Sequence, residues 1–376
     1  MTTCPHLPAC PGCPRFGAHD PAPDALASLR ALCERQGAAF DVKAGARFRF
    51  RQRARLAVRG RRGAPKIGIF AERSHRVVDI PSCEIHHPLI NIVAAALKAS
   101  MRELGVTCYV DALHVGLVRA IQVAVERSTQ TAQVVLVCNA SDPASARPLL
   151  ESLARRLGPK LHSLWWNGNP ERTNVILGPA FERILGPEYL VEELAGARVF
   201  FPPAAFGQNN LDVFDLMLEQ IHARVPADAH LVELYAGCGA IGLGLVSGAR
   251  SVVFNELGQA SLAGLERGLG ELTPTERARV RVVGGSAEVA ADEITKDSVV
   301  IVDPPRKGLE PLLLAALGAR APERLLYVSC GLGSFIRDAE ILVTQGLRLT
   351  TATAYDLFPY TEHVETLACF QRRVPS

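Results

Sequence analysis

The chain has 376 residues, 48% hydrophobic and 21% charged, with 41 Lys and Arg against 38 Asp and Glu for a net charge of +3. That length supports two or three domains with cores of their own and excludes a disulfide mini-scaffold or a disordered tail. The small net charge names no partner by itself, so the placement of the charges carries the information.

The chain opens MTTCPHLPACPGCPRF, with prolines and cysteines where a signal peptide needs a charged start and an unbroken apolar run. The longest apolar stretch, LVELYAGCGAIGLGLVSGA from Leu231, contains Glu233 and too many glycines to span a bilayer. A cytoplasmic protein with no membrane partner is therefore expected, and its ten cysteines should serve as thiols or ligands rather than disulfides. Cys4, Cys10 and Cys13 form C-x5-C-x2-C, and Cys83 lies in DIPSCEIHHP. Four thiolates can hold a [4Fe-4S] cluster, while His6, His19, His86 and His87 leave a mixed-ligand zinc site open.

From Lys43 to Arg76 twelve residues are basic and one, Glu72, is acidic. RFRFRQRARLAVRG alternates, with Phe48, Phe50, Ala54, Leu56 and Val58 on one side and Arg47, Arg49, Arg51, Arg53, Arg55 and Arg59 on the other. This pattern predicts a half-buried strand with an arginine face suited to RNA phosphates. IGIF and HRVVDI predict further strands, residues 88–105 a helix, VGLVRAIQVAV and AQVVLVC two strands, and PASARPLLESLARRL a helix. LHSLWWNG, VILG and EYLVEELAGARVFFPP read as strands and a hairpin. The expected division is 1–90 for the cysteines and basic sheet, 91–200 for an α+β RNA-binding region, and 201–376 for a third domain.

After Leu211, LVELYAG, SVVFNE, VRVVGG, SVVIVDPP and RLLYVSC alternate with helical stretches, the pattern of a doubly wound α/β sheet. Gly237, Gly239 and Gly242 give G-x-G-x-x-G after the first of these strands, and Glu256 ends the next. The spacing suits a dinucleotide or S-adenosylmethionine, with Glu256 placed for ribose hydroxyls. Asp303 precedes two prolines that force the chain out of the sheet at its ligand edge. Cys330 follows the fifth strand at the same edge, and Glu365 stands before a final apolar strand, so a thiolate nucleophile and a base are expected together.

These segments, VELYAGCGAIGL, VDPPRKGL, VSC and HVE, with FGQNN at 206–210, resemble the RNA uracil-5-methyltransferase family across essentially the whole chain. The resemblance implies a Rossmann-like methyltransferase domain in which Cys330 adds to uracil C6 and Glu365 removes the C5 proton. It implies that Gln208, Tyr235, Gly237, Gly239, Glu256 and Asp303 contact S-adenosylmethionine. It also implies that Cys4, Cys10, Cys13 and Cys83 bind a [4Fe-4S] cluster, as in the subset acting on 23S ribosomal RNA, with transfer RNA the alternative substrate. Because the cysteines begin at residue 4, no oligonucleotide-binding barrel is expected before them; a monomer is expected. Family members usually follow the cysteine with Asn-Pro, where this chain has Gly331 and Leu332. That departure motivates one rival, a non-catalytic RNA-binding iron–sulfur protein, which leaves Cys330 and Glu365 without purpose. A nicotinamide dehydrogenase would explain the glycine turn alone.

Overall fold

The structure, a computed structural model, describes residues 3–373, and the chain forms two compact units. The first comprises the residues up to Gly17, Ala46–Glu192 and Gly207–Asn210; the second comprises Ala18–Gly45, Glu193–Phe206 and the residues from Leu211 on. In chain order, helix α1 (Pro23–Gln36) and strand β1 (Ala39–Lys43) fall in the second unit. The first unit follows with β2 (Arg53–Arg61), β3 (Ala64–Phe70), β4 (Val77–Asp79), α2 (Pro88–Glu103), β5 (Val118–Glu126), β6 (Thr131–Cys138), α3 (Arg147–Leu157), β7 (Leu161–Gly168) and β8 (Ala180–Leu185). The hairpin β9 (Leu190–Leu194) and β10 (Ala197–Phe201) turns through Ala195 and Gly196, both at positive φ, the geometry of a two-residue hairpin turn.

In the first unit the strands form one seven-stranded sheet in the order β4-β3-β2-β5-β6-β7-β8. The expected break near residue 90 therefore does not interrupt the sheet, because β2 pairs antiparallel with β5 across it. Ala54, Leu56 and Val58 point into the core with α2 and α3, as the alternation predicts. The predicted strand starts late, however: residues 47–50 form a bend, with Arg49 in the left-handed region at φ 57°. Backbone bonds from Arg49 N to Glu84 O and from Arg51 N to Ile85 O hold that bend against the Cys83 segment. VILG is likewise a pinned loop rather than a strand.

The second unit continues with α4 (Leu211–His222), β11 (His230–Leu234), β12 (Ser251–Glu256), α5 (Gln259–Leu269), α6 (Pro274–Arg277), β13 (Val280–Gly284), β14 (Ser298–Val302), α7 (Pro311–Arg320), β15 (Arg324–Ser329), α8 (Leu332–Thr344), β16 (Leu347–Tyr355) and β17 (Glu365–Arg372). Its eight-stranded sheet runs β1-β16-β17-β15-β14-β11-β12-β13. β14, β11, β12 and β13 pair in parallel, whereas β17 is antiparallel to both β15 and β16. The runs of Val, Ile and Leu in β11, β12, β14 and β15 are buried on both faces, as crossover helices require, whereas the edge strand β13 is half-exposed. The strand order reverses beside β11, the position at which ligands bind in such sheets.

Candidate active site

The carboxyl ends of β12, β11 and β14 lie level, because Leu234 stands opposite both Asn255 and Val302. Glu256, Tyr235 and Asp303, one residue further on, therefore line one edge. At the other end of the row, Ser329 pairs with Thr366 in the antiparallel β15–β17 ladder. Continuing that register by one residue sets Cys330 opposite Glu365. Antiparallel insertion of the last strand thus brings a thiol and a carboxyl 35 residues apart in sequence to the same point.

The turn after β11 uses its three glycines for three different reasons. Gly237 is left-handed at φ 58° and a Cβ there would point into open space, which leaves its backbone accessible to a ligand. Gly239, at φ 83°, packs where a Cβ would lie 2.7 Å from Leu243. Gly242 lets the buried Glu233 carboxylate approach, since a Cβ would sit 1.9 Å from its Oε2. The following crossover is only a 3-10 turn, Leu243–Gly248, so the helix a dinucleotide fingerprint should open is missing. Glu256 accepts from Gly237 N at 2.8 Å and from Gly258 N at 2.5 Å, which fixes its carboxylate over the turn. Leu257, 67% exposed, stands beside it as an uncovered apolar surface. Tyr235 is held at φ 61° and donates from its hydroxyl to Glu310 at 2.7 Å.

Charge at the reacting end is tightly coupled to burial. Burial pushes Asp303 up to about 7. Burial and then the Asp303 charge raise Glu365, 1% exposed, well above the carboxylate range, while Arg306 opposes the shift. The half-buried Cys330 thiol is also raised, first by burial and then by Glu365 and Asp303, with Arg306 again pulling it down. The two carboxyls and the thiol feel one another, and burial together with like charge raises all three.

The loop 303–309 is clamped by α8. Ser334 donates to Arg306 O at 2.7 Å, Arg337 to Lys307 O at 2.9 Å, and the buried Asp338 accepts from Leu309 N and Tyr327 OH, both at 2.8 Å. Sequence reasoning missed Ser334 and Asp338, although their placement one and two turns beyond Cys330 puts them on the helix that follows it. The departure at Gly331 has a local cause: a Cβ there would come within 2.5 Å of Arg306 O and 2.8 Å of Ser334 Oγ. An asparagine does not fit this position without moving the loop.

Gln208 falls in the stretch 207–210 of the other unit, where its side chain is buried and Oε1 lacks a hydrogen-bond partner. The four N-terminal candidates also belong to that unit. The Cys13 thiol is pushed up to about 12 by burial and by Cys83, Cys10 and Cys4, so the four sulfurs share one neighbourhood. Among the described residues, no three His, Cys, Asp or Glu side chains are gathered tightly enough to hold a metal ion. Two histidines of the zinc alternative are engaged elsewhere: His6 Nε2 accepts from Ser82 N, and His87 caps α2 through Leu89 N. The expected arginine face also differs, since Arg51 is turned toward Cys83 and Cys13 rather than toward solvent.

A parallel sheet reversing beside β11, a glycine turn, an acid ending the second strand and an antiparallel last strand form the ligand edge of a Rossmann-like sheet. The tRNA (uracil-5-)-methyltransferase family profile matches residues 182–373. An uncharacterised RNA methyltransferase of Protochlamydia amoebophila is 33% identical, spanning 98% of this chain and 97% of its own. Another from Geobacter sulfurreducens is 30% identical, spanning 99% and 77%. In fold, the chain is similar to Pyrococcus abyssi tRNA (uracil-54, C5)-methyltransferase in complex with S-adenosyl-L-homocysteine, at a TM-score of 0.77 and 24% identity over 96% of this chain and 86% of that one. The chain therefore belongs to the tRNA (uracil-5-)-methyltransferase family and is an RNA methyltransferase. Among the described residues no helix is long and apolar enough to cross a membrane.

Proposed function

We propose that this enzyme methylates C5 of one uridine in a structured RNA, with 23S ribosomal RNA the first substrate to test. The observation that carries the reading is that Cys330 and Glu365 each stand one residue beyond the paired Ser329 and Thr366 of the β15–β17 ladder, where Cys330 feels the charges of Glu365 and Asp303. S-adenosylmethionine supplies an electrophilic methyl group, and in the second unit the open backbone at Gly237, the Glu256 carboxylate, Tyr235 and Asp303 are the residues that would hold it. Uracil C5 is too weak a nucleophile on its own. The Cys330 thiolate adds to C6, the displaced electron pair moves onto the C4 carbonyl oxygen, and C5 becomes an enolate carbon able to take the methyl. Glu365 then removes the C5 proton; the C5–C6 double bond re-forms as the C6–sulfur bond breaks, and Cys330 leaves as thiolate. Arg306 favours that thiolate at both ends of the cycle. The uridine must leave its stack to reach the thiol.

Cys4, Cys10, Cys13 and Cys83 would hold a [4Fe-4S] cluster with a structural role. Thiolates about 2.3 Å from a single zinc crowd within about 4 Å of one another. A four-iron cluster instead gives each of the four thiolates its own iron. This cysteine set supports the ribosomal reading; the fold likeness to a transfer RNA enzyme favours the second reading, transfer RNA. The test is mass mapping of 5-methyluridine in both RNAs from cells with and without the gene. Loss at one ribosomal position is expected, loss in transfer RNA selects the second reading, and no loss in either overturns both.

A further inference from the structure

Away from the chemistry, the first unit carries a groove of two adjoining lobes on the sheet, with volumes of about 680 and 890 Å³. Arg59, His75 and Asp111 line both lobes. Arg59 cannot move freely: it donates to both Asp111 oxygens, at 2.6 and 2.8 Å, and to the carbonyls of Val58 and Arg119. Its guanidinium lies 5.3 Å from the Phe70 ring centre and 5.0 Å from that of Tyr109. A cation fixed between two rings forms a flat, rigid platform.

The opposite wall of the smaller lobe is the VILG loop. Arg119 donates to the carbonyls of Asn169, Glu171 and Thr173, and Asn169 Nδ2 donates to those of Val175 and Ile176. Five hydrogen bonds thus pin a loop that holds Val175 63% and Ile176 42% exposed, with Phe70 39% exposed in the same lobe. Floppy loops expose apolar side chains at little cost, but a loop anchored at this density presents them in a fixed place. The larger lobe is different: Arg61, Arg62, Lys66 and Arg76 line it, all exposed, and none forms an ion pair among the described residues. Its one acid, Asp111, is already neutralised by Arg59.

An apolar, aromatic slot continuous with a strip of cations unpaired among the described residues matches a base and its phosphates, whereas a protein partner would need four acids set opposite the strip and an apolar plate for the slot. We propose that this groove binds a short single-stranded RNA segment, with an unstacked base between Phe70 and the Val175–Ile176 loop and its phosphates on Lys66 and Arg76. The proposal rests on the RNA methyltransferase reading and adds a second RNA contact, separate from the reacting uridine.

The probes are a fluorescein-labelled hexauridylate, the same hexamer carrying one 5-iodouridine, and a twelve-base-pair RNA duplex, each with the full chain. Phe70→Ala should weaken hexamer binding about tenfold, the loss of roughly one stacked base, and Ile176→Ser should weaken it in the same sense. Lys66→Ala with Arg76→Ala should lower the log–log salt slope by about 1.4, at roughly 0.7 per phosphate contact. Ultraviolet cross-linking should attach 5-iodouridine to Phe70 or to residues 171–177. Unchanged hexamer affinity in both Phe70→Ala and Ile176→Ser overturns the proposal, as does duplex binding that equals hexamer binding. Methyl transfer is read separately on natural RNA. An enzyme that binds through the groove yet transfers no methyl sinks the methyltransferase reading alone; normal transfer with unaltered affinity in the groove variants sinks the groove alone.

Discussion

Asp338 makes a sharp test of how the site is held, because two substitutions there should differ for a reason visible in its bonding. Its Oδ2 accepts from Leu309 N and Tyr327 OH at 2.8 Å, while Oδ1 takes the Arg337 guanidinium at 2.6 and 2.9 Å. Asp338→Asn keeps an oxygen for the two buried donors and turns an amide toward Arg337, which is 52% exposed and keeps its bond to Lys307 O. The cost should be about 1 kcal/mol, that of a partly exposed ion pair. Asp338→Ala leaves Leu309 N and the fully buried Tyr327 hydroxyl without an acceptor. At roughly 1.5–3 kcal/mol for each hydrogen bond to a charged group, the loss should be about 3–6 kcal/mol. Both tryptophans, Trp165 and Trp166, lie in the other unit, so fluorescence would miss the change. Hydrogen exchange over residues 303–311 and 324–330 reads it directly: Ala should open both segments far more than Asn, and methyl transfer should fall with it. Equal exchange in the two variants would refute the clamp.

Gly331→Ala should push against Arg306 O and lower methyl transfer by roughly ten- to a hundredfold, the scale set by a displacement near 1 Å, with cofactor affinity little changed; single-turnover kinetics would separate the two. Alkylation of Cys330, followed by peptide mass mapping, should accelerate at pH 7.5 in Asp303→Asn, since removing a neighbouring negative charge lowers a thiol that burial and that charge hold high, and slow in Arg306→Ala. Asp303 has its pKa raised in the fold, so its contribution to stability is complete below about 3.8 and disappears as pH rises through about 7; thermal unfolding across that window should be flatter in Asp303→Asn. Anaerobically purified protein should be brown with about four irons per chain, and Cys83→Ser should lose them; zinc in their place would contradict the cluster.

Much of the second unit is legible in the sequence because its strands are short Val- and Ile-rich runs ending in chemically loaded residues. SVVFNE, SVVIVDPP and RLLYVSC each announce both a buried strand and a residue at its exit. Less visible is what depends on pairing at a distance. The Glu365–Cys330 juxtaposition needs the antiparallel register of β17, and the reason for Gly331 lies in a carbonyl 25 positions earlier. In the first unit, period-2 alternation marks β2 correctly from Arg53 onward, but the same alternation in residues 47–50 is overridden by backbone bonds to Glu84 and Ile85. VILG has strand composition, yet hydrogen bonds from Asn169 and Arg119 take its neighbouring carbonyls and leave it a loop.

The most direct measurement is denaturing electrophoresis of the enzyme with substrate RNA and radiolabelled S-adenosylmethionine. Cys330→Ala should form no covalent band. Glu365→Gln should accumulate a labelled protein–RNA band, because addition and methyl transfer proceed while the C5 proton stays in place and elimination stalls. Free methylated RNA released by Glu365→Gln at the wild-type rate would contradict the account and move the search for the base to Glu362.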